Sequence, residues 1–87
     1  MKICPKVKEI GYAVDANNME YILEQVSQYD EDGHIVAYYD DSTAWYRIRK
    51  LASNGMPAGM LNYGPALKKA MNYLKRKGRE NALYIPA

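Results

Sequence analysis

The first apolar segment of the chain, residues 7–14, is rich in β-forming side chains and predicts a strand. Gly11 within it indicates a bulge or a close backbone approach. Asn17 and Glu20 then have the spacing of a capping box, which satisfies free backbone N–H groups at the start of a helix. The apolar residues that follow recur at helical spacing and predict a helix to about residue 29: Met19, Ile22, Leu23, Val26 and Tyr29.

The middle of the chain predicts a turn, a second strand and a second helix. Residues 30–33 suit a turn, and residues 34–39 are typical of a strand. Residues 44–52 contain an apolar stripe at helical spacing, between polar cap candidates and the helix-ending pair Asn54 and Gly55. A strand is the alternative there, because residues 45–49 also alternate in polarity. Residues 56–63 predict a loop.

The last predicted helix begins at Pro65, whose missing N–H costs nothing in a first turn, and ends at Gly78. Residues 82–85 predict a short final strand. The order β-α-β-α-α-β indicates an α+β fold, a small two-layer domain with a short sheet packed against helices. We expect a single domain over residues 1–87. A right-handed parallel βαβ unit is the expected topology, with an antiparallel arrangement as the alternative.

Composition indicates which residues can form the core and which cellular compartment suits the protein. The chain has nine tyrosines, one tryptophan and no phenylalanine, so its tyrosine hydroxyls must reach water or a partner at the boundary of the core. Cys4 is the single cysteine, which excludes an internal disulfide. No apolar run approaches the ~20 residues of a membrane span. We therefore expect a soluble, cytoplasmic protein with no membrane partner.

Charge is sorted along the chain more strongly than the net charge of +2 suggests. Every charged residue from Glu9 to Asp41 is acidic, whereas nine of the ten after Ser42 are basic. Such asymmetry favours a macromolecular partner over small-molecule chemistry. A solvated surface whose two halves neutralise each other is the alternative, and so is a homo-oligomer that joins opposite charges.

Each charged half predicts a binding surface. The acidic surface is expected to bind a protein partner, and consists of Glu20, Glu24, Asp30, Glu31, Asp32, Asp40 and Asp41. The basic surface follows the outer face of the last helix and is the alternative, a site for DNA or RNA phosphates. Its members are Arg47, Arg49, Lys50, Lys68, Lys69, Asn72, Lys75, Arg76 and Arg79.

The sequence contains no pattern of residues that is typical of a catalytic or metal-binding site. Nucleophile–base sets, phosphate loops and dinucleotide fingerprints are not recognisable, so we expect no enzyme and no cofactor. The acids near His34 lack the pattern of a calcium loop, and one His with one Cys excludes zinc sites built on several such ligands.

The predicted function is that of a small non-enzymatic binding protein that regulates or inhibits a larger macromolecular machine, such as a protein that handles nucleic acid. The size of the chain also suits a phage accessory or anti-defence protein. Direct binding of DNA or RNA through the basic last helix is the alternative function.

Overall fold

A computed structural model describes residues 3–37, 43–79 and 81–85. Within these ranges the chain forms six strands and one helix. They are β1 (Cys4–Val14), β2 (Glu20–Tyr29), β3 (Ile35–Val36), β4 (Trp45–Leu51), β5 (Pro57–Gly64), α1 (Leu67–Gly78) and β6 (Ala82–Tyr84).

The strands form one antiparallel sheet in the order β5-β4-β2-β1-β6, and α1 packs on one of its faces. β3 pairs with the end of β2, next to the segment that pairs with β4. The predicted α+β fold with the order β-α-β-α-α-β is therefore wrong, and so is the parallel βαβ unit. The antiparallel alternative is correct.

The helix predicted to follow Asn17 is the strand β2 instead. β2 is a central strand that is buried on both faces: Tyr21 and Leu23 face one way and Ile22 and Glu24 the other, all no more than 9% exposed. Apolar residues on both faces of a strand lie three and four positions apart as well as two apart. This spacing is indistinguishable from that of a helix.

The predicted capping box is a hairpin turn between β1 and β2. The Asp15 N–H donates to the Met19 carbonyl at 3.1 Å, and Asn18 has a φ of 63°. Asn tolerates this left-handed conformation better than most residues, so the polar run after β1 reverses the chain without starting a helix.

Two further predictions in the middle of the chain are wrong. Residues 45–51 form the strand β4, as the alternating alternative states, and the predicted loop at 56–63 is the strand β5. Within the strand predicted at residues 34–39, Ile35–Val36 form the strand β3. Residues 38–42, which include Asp40 and Asp41, lie outside the described residues.

The last helix is confirmed, with Leu67 rather than Pro65 as its first residue, and β6 confirms the final strand. The core lies between α1 and the sheet, where Leu23, Ile48 and Leu74 are fully buried. Each such side chain contributes about 1.5–3 kcal/mol by leaving water.

Small residues allow α1 to approach the sheet closely. A Cβ at Gly11 of β1 would lie 2.7 Å from Leu74 Cδ2, and a Cβ at Gly78 would lie 2.9 Å from Leu83 Cβ. The prediction that Gly11 marks a bulge or a close approach is confirmed on both counts, because the β1–β2 register shifts between Glu9 and Gly11.

Irregularities occur in β5, at one edge of the sheet, and in the part of β1 that β6 does not pair with. β1 has its bulge at Ile10, and the β4–β5 register shifts twice, which leaves Ala58 and Tyr63 of β5 as extra residues. Bulges of this kind twist and bend a strand locally.

The sheet has two faces, and paired residues on neighbouring strands share a face. We call the face under α1 the helix side; it includes Tyr21, Leu23 and Ile48. The opposite face is the open side, and it includes Ile22 and Glu24. No described helix or strand covers the open side.

Candidate nucleic-acid interface

The outer surface of α1 is basic, as its residue spacing predicts. Ala70, Leu74 and Gly78 are buried against the sheet, and the opposite face is exposed. The exposed polar residues of this surface are Lys68, Lys69, Asn72, Lys75, Arg76 and Arg79. At 1.5 Å per residue, this surface extends for about 18 Å along the helix axis.

Tyrosine rings hold the middle of α1 on the sheet. Tyr73 of α1 meets Tyr21 of β2 edge to face at 5.9 Å, and the Tyr63 ring lies 6.2 Å from Tyr73. Lys77 Nζ lies 5.5 Å from the centre of the Tyr73 ring and 5.7 Å from that of Tyr21. Arg76 lies 5.7 Å from the Tyr73 ring. Cation–π contacts of this kind position the cations without neutralising them.

No cation of α1 forms an ion pair with a carboxylate in the described part of the chain, although Lys77 attracts the Asp15 carboxylate from a longer distance. The ion pairs found there join Glu24 to Arg47 and Arg49, Glu9 to Arg49, and Asp30 to His34. The basic surface of α1 is therefore available to an external anion.

Arg47 and Arg49, which the sequence groups with the helix cations, instead lie on the open side and enclose Glu24. Arg47 Nε donates to Glu24 Oε1 at 2.9 Å, and Arg49 Nε lies 3.3 Å from the same oxygen. This contact does not have the geometry of a hydrogen bond, so Arg49 Nε is buried without a hydrogen-bond partner. The Glu24 side chain is only 5% exposed. Glu24 is therefore part of an internal ion-pair cluster and does not present its charge to a partner.

Glu20 is also engaged on the open side. The Tyr12 hydroxyl donates to Glu20 Oε1 at 2.6 Å, and this hydrogen bond, with burial, raises the pKa of Tyr12. Two members of the predicted acidic surface, Glu20 and Glu24, thus have partners within the sheet.

Asp30, Glu31 and Asp32 lie in the turn between β2 and β3, away from Glu20 and Glu24. Asp30 Oδ1 accepts the N–H groups of Asp32 and His34, each at 2.9 Å. Ligand atoms of Asp30, Asp32 and His34 lie within 4.8 Å of one another. The backbone hydrogen bonds explain this proximity, since an Asx turn brings the same atoms together. The predicted acidic surface is therefore divided between the turn and the open side, and its members Asp40 and Asp41 lie outside the described residues.

The pleat of the sheet separates charge between the two sides. Lys6 and Lys8 of β1 pair with Ser27 and Gln25 and thus lie on the helix side, whereas Glu9 pairs with Glu24 on the open side. Lys50 of β4 pairs with Tyr21 and also lies on the helix side, where its Cε would lie 3.1 Å from a Cβ at Gly59.

Sequence reasoning missed Lys6 and Lys8. The sequence signal that could have identified them is the alternation of side chains along a strand at residues 6–9, which puts both lysines on the same face. They line a shallow groove beyond α1 together with Gln25, Ser27 and Tyr29, and Lys6 Nζ lies 4.7 Å above the Tyr29 ring. The helix side thus carries cations outside α1 as well.

No known protein family, curated protein or solved structure matches this chain. In the described residues, α1 is too short and too polar to cross a bilayer.

Proposed function

We propose that this protein is a small, non-enzymatic nucleic-acid-binding protein that contacts phosphates through the basic surface of α1. The observation that supports it best is that the exposed lysines and arginines of α1 lack carboxylate partners in residues 3–37, 43–79 and 81–85. A row of cations contacts a polyanion by releasing its counterions, which requires cations that are not already paired.

The wider distribution of charge supports the same side. Lys6, Lys8 and Lys50 extend the basic surface across the helix side, whereas Glu9, Glu20 and Glu24 lie on the opposite face of the sheet. A polyanion on the helix side therefore approaches many cations and stays separated from these three acids by the sheet.

The test is the double variant Lys68→Ala/Lys69→Ala, measured by the anisotropy of labelled duplex DNA, single-stranded DNA and RNA over a range of salt. Both lysines lie in the first turn of α1, where the helix dipole disfavours cations and alanine favours the helix, so the fold is retained. We expect weaker binding to every sequence. The slope of log affinity against log salt should flatten by about 0.7–0.9 for each lysine that contacts a phosphate.

The matched control is Lys68→Arg/Lys69→Arg, which keeps both charges and should keep both the affinity and the salt slope. Two results would contradict the proposal: the absence of binding at low salt by the wild-type protein, or an alanine variant that binds as tightly as the wild type.

The open side favours a second candidate, a protein that regulates or inhibits a larger macromolecular machine by binding one of its proteins. Tyr84, Tyr12, Ile22, Arg49 and Met60 form one row across five strands. The row ends in two exposed side chains, Tyr84 at 62% and Met60 at 45%. Exposed Tyr and Met next to arginine are enriched at protein interfaces.

This second candidate predicts that Tyr84→Ala/Met60→Ala abolishes capture of a protein partner from nuclease-treated lysate. Met56→Ala is the matched control, because Met56 is 62% exposed but lies before β5, outside the row. Equal capture by both variants would exclude the open side as the contact.

A further inference from the structure

A cleft lies between the last turn of α1 and the turn that joins β1 to β2. Its volume is about 260 Å³, and its residues come from two segments that are distant in sequence. The described residues that line it are Asp15, Ala16, Asn17, Arg76, Lys77 and Arg79. Three of these side chains are cationic and one is anionic, so together these residues carry a formal charge of +2.

The one carboxylate among the described lining residues, that of Asp15, already accepts several hydrogen bonds. Asp15 Oδ1 accepts the N–H groups of Asn17 at 2.8 Å and Met19 at 3.1 Å, and Asp15 Oδ2 accepts the Tyr21 hydroxyl at 2.9 Å. These donors offset part of its negative charge and reduce its repulsion of an anion in the cleft.

The cations also outweigh the helix dipole. The C-terminal end of a helix is equivalent to roughly half a negative charge, which by itself disfavours an anion. The formal charge of the cleft is several times larger and of opposite sign. Arginine adds a planar fork of donors that matches the oxygens of a phosphate.

We propose that this cleft is a binding site for a phosphate monoester. A monoester bears about −1.5 to −2 charges at neutral pH and presents three acceptor oxygens, which suits a concave site of charge +2 with two arginines and the amide of Asn17. A phosphodiester bears a single charge and suits the linear outer surface of α1 better. The site shares Arg76 and Arg79 with the outer surface of α1, but it goes beyond the proposed function and does not depend on it.

The test is an NMR titration of the protein with inorganic phosphate, against chloride at equal ionic strength. We expect saturable shifts of the Asn17 and Arg79 amides and of the arginine Nε–H signals. Arg79→Ala and Arg76→Ala should each weaken phosphate binding by about tenfold, since each removes charge-assisted hydrogen bonds.

Lys75→Ala is the matched control, because Lys75 is exposed on the same helix but does not line the cleft. It removes a cation of the outer surface of α1 alone, so it should weaken phosphate binding far less than Arg79→Ala does. Circular dichroism of each variant checks that α1 remains folded. Shifts no larger than those with chloride would overturn the proposal, and so would equal weakening by Lys75→Ala and Arg79→Ala.

A second arm identifies the source of the monoester by comparing an oligonucleotide that has a 5′-phosphate with the same oligonucleotide that has a 5′-hydroxyl. Tighter binding of the phosphorylated form, abolished by Arg79→Ala, supports the site with a nucleic-acid end as its ligand. Equal binding of the two, together with saturable binding of inorganic phosphate, supports the site with a small phosphate ester as its ligand. Lys68→Ala/Lys69→Ala reports on the outer surface of α1 separately, so failure of one proposal is distinguishable from failure of the other.

Discussion

Asp15 organises the β1–β2 turn through its carboxylate. Its two oxygens accept three hydrogen bonds, from Asn17, Met19 and Tyr21. The hydrogen bond from the Tyr21 hydroxyl lowers the pKa of Asp15 most, and the positive charge of Lys77 lowers it further. Burial, with the hydrogen bond to Asp15, raises the pKa of Tyr21 to about 12. One side chain thus connects the turn to the central strand.

A prediction for stability against pH follows at this residue. Because the pKa of Asp15 is lowered by folding, its charged form stabilises the folded protein fully above the ordinary value of 3.8. This contribution is lost as pH falls through the folded pKa. Asp15→Asn should therefore lower the free energy of unfolding near neutral pH, and its difference from the wild type should shrink in acid.

Urea unfolding at a series of pH values measures this difference. Tyr21→Phe removes the hydrogen bond that contributes most to the lowered pKa of Asp15, and should produce a smaller loss with the same dependence on pH. A difference between Asp15→Asn and the wild type that stays constant from neutral to acid pH would contradict the assignment.

Among the elements, α1 was predictable because only one of its sides is buried. Its apolar residues therefore follow the helical period and its lysines the opposite face. β2 was not predictable, because a strand buried on both faces loses its alternation. The buried Glu24 added to the error: its partners Arg47 and Arg49 are distant in sequence, so a polar residue inside the sheet resembled the solvent face of a helix.

The contact between α1 and β1 leads to a prediction for packing. Gly11→Ala would place a methyl group against Leu74 Cδ2 and within 3.2 Å of Leu23 Cβ, which should destabilise the protein by about 1–3 kcal/mol. Leu74→Ala alone should cost about 2–5 kcal/mol through the cavity that it leaves.

The double variant distinguishes this contact from a general loss of stability. In Gly11→Ala/Leu74→Ala the new methyl enters the space that Leu74 vacates, so the combined loss should be smaller than the sum by about 1 kcal/mol. Chemical denaturation of the four proteins gives the coupling. Strictly additive losses would mean that α1 does not press on β1 at Gly11.

For the whole molecule, the sorting of charge along the chain is only partly a sorting in space. The basic end of the sequence forms the surface of α1, as expected, but Arg47 and Arg49 return to the acidic strand β2 and neutralise it. The pleat then assigns Lys6 and Lys8 to the helix side. Strand register decides both outcomes, and register depends on turn geometry and burial rather than on the order of charges.

The irregularities in β5 and β1 have a consequence for the behaviour of the protein at high concentration. A straight, uncharged edge strand is a template on which further copies of a chain can stack into fibrils. β5 contains no charged residue, yet its extra residues Ala58 and Tyr63 break the repeat that such stacking needs. In β1, which the short strand β6 pairs with only from Tyr12 onward, Pro5 and the bulge at Ile10 act in the same way. We therefore expect aggregation to require prior unfolding of the sheet, so that conditions that preserve the fold also keep the protein dispersed.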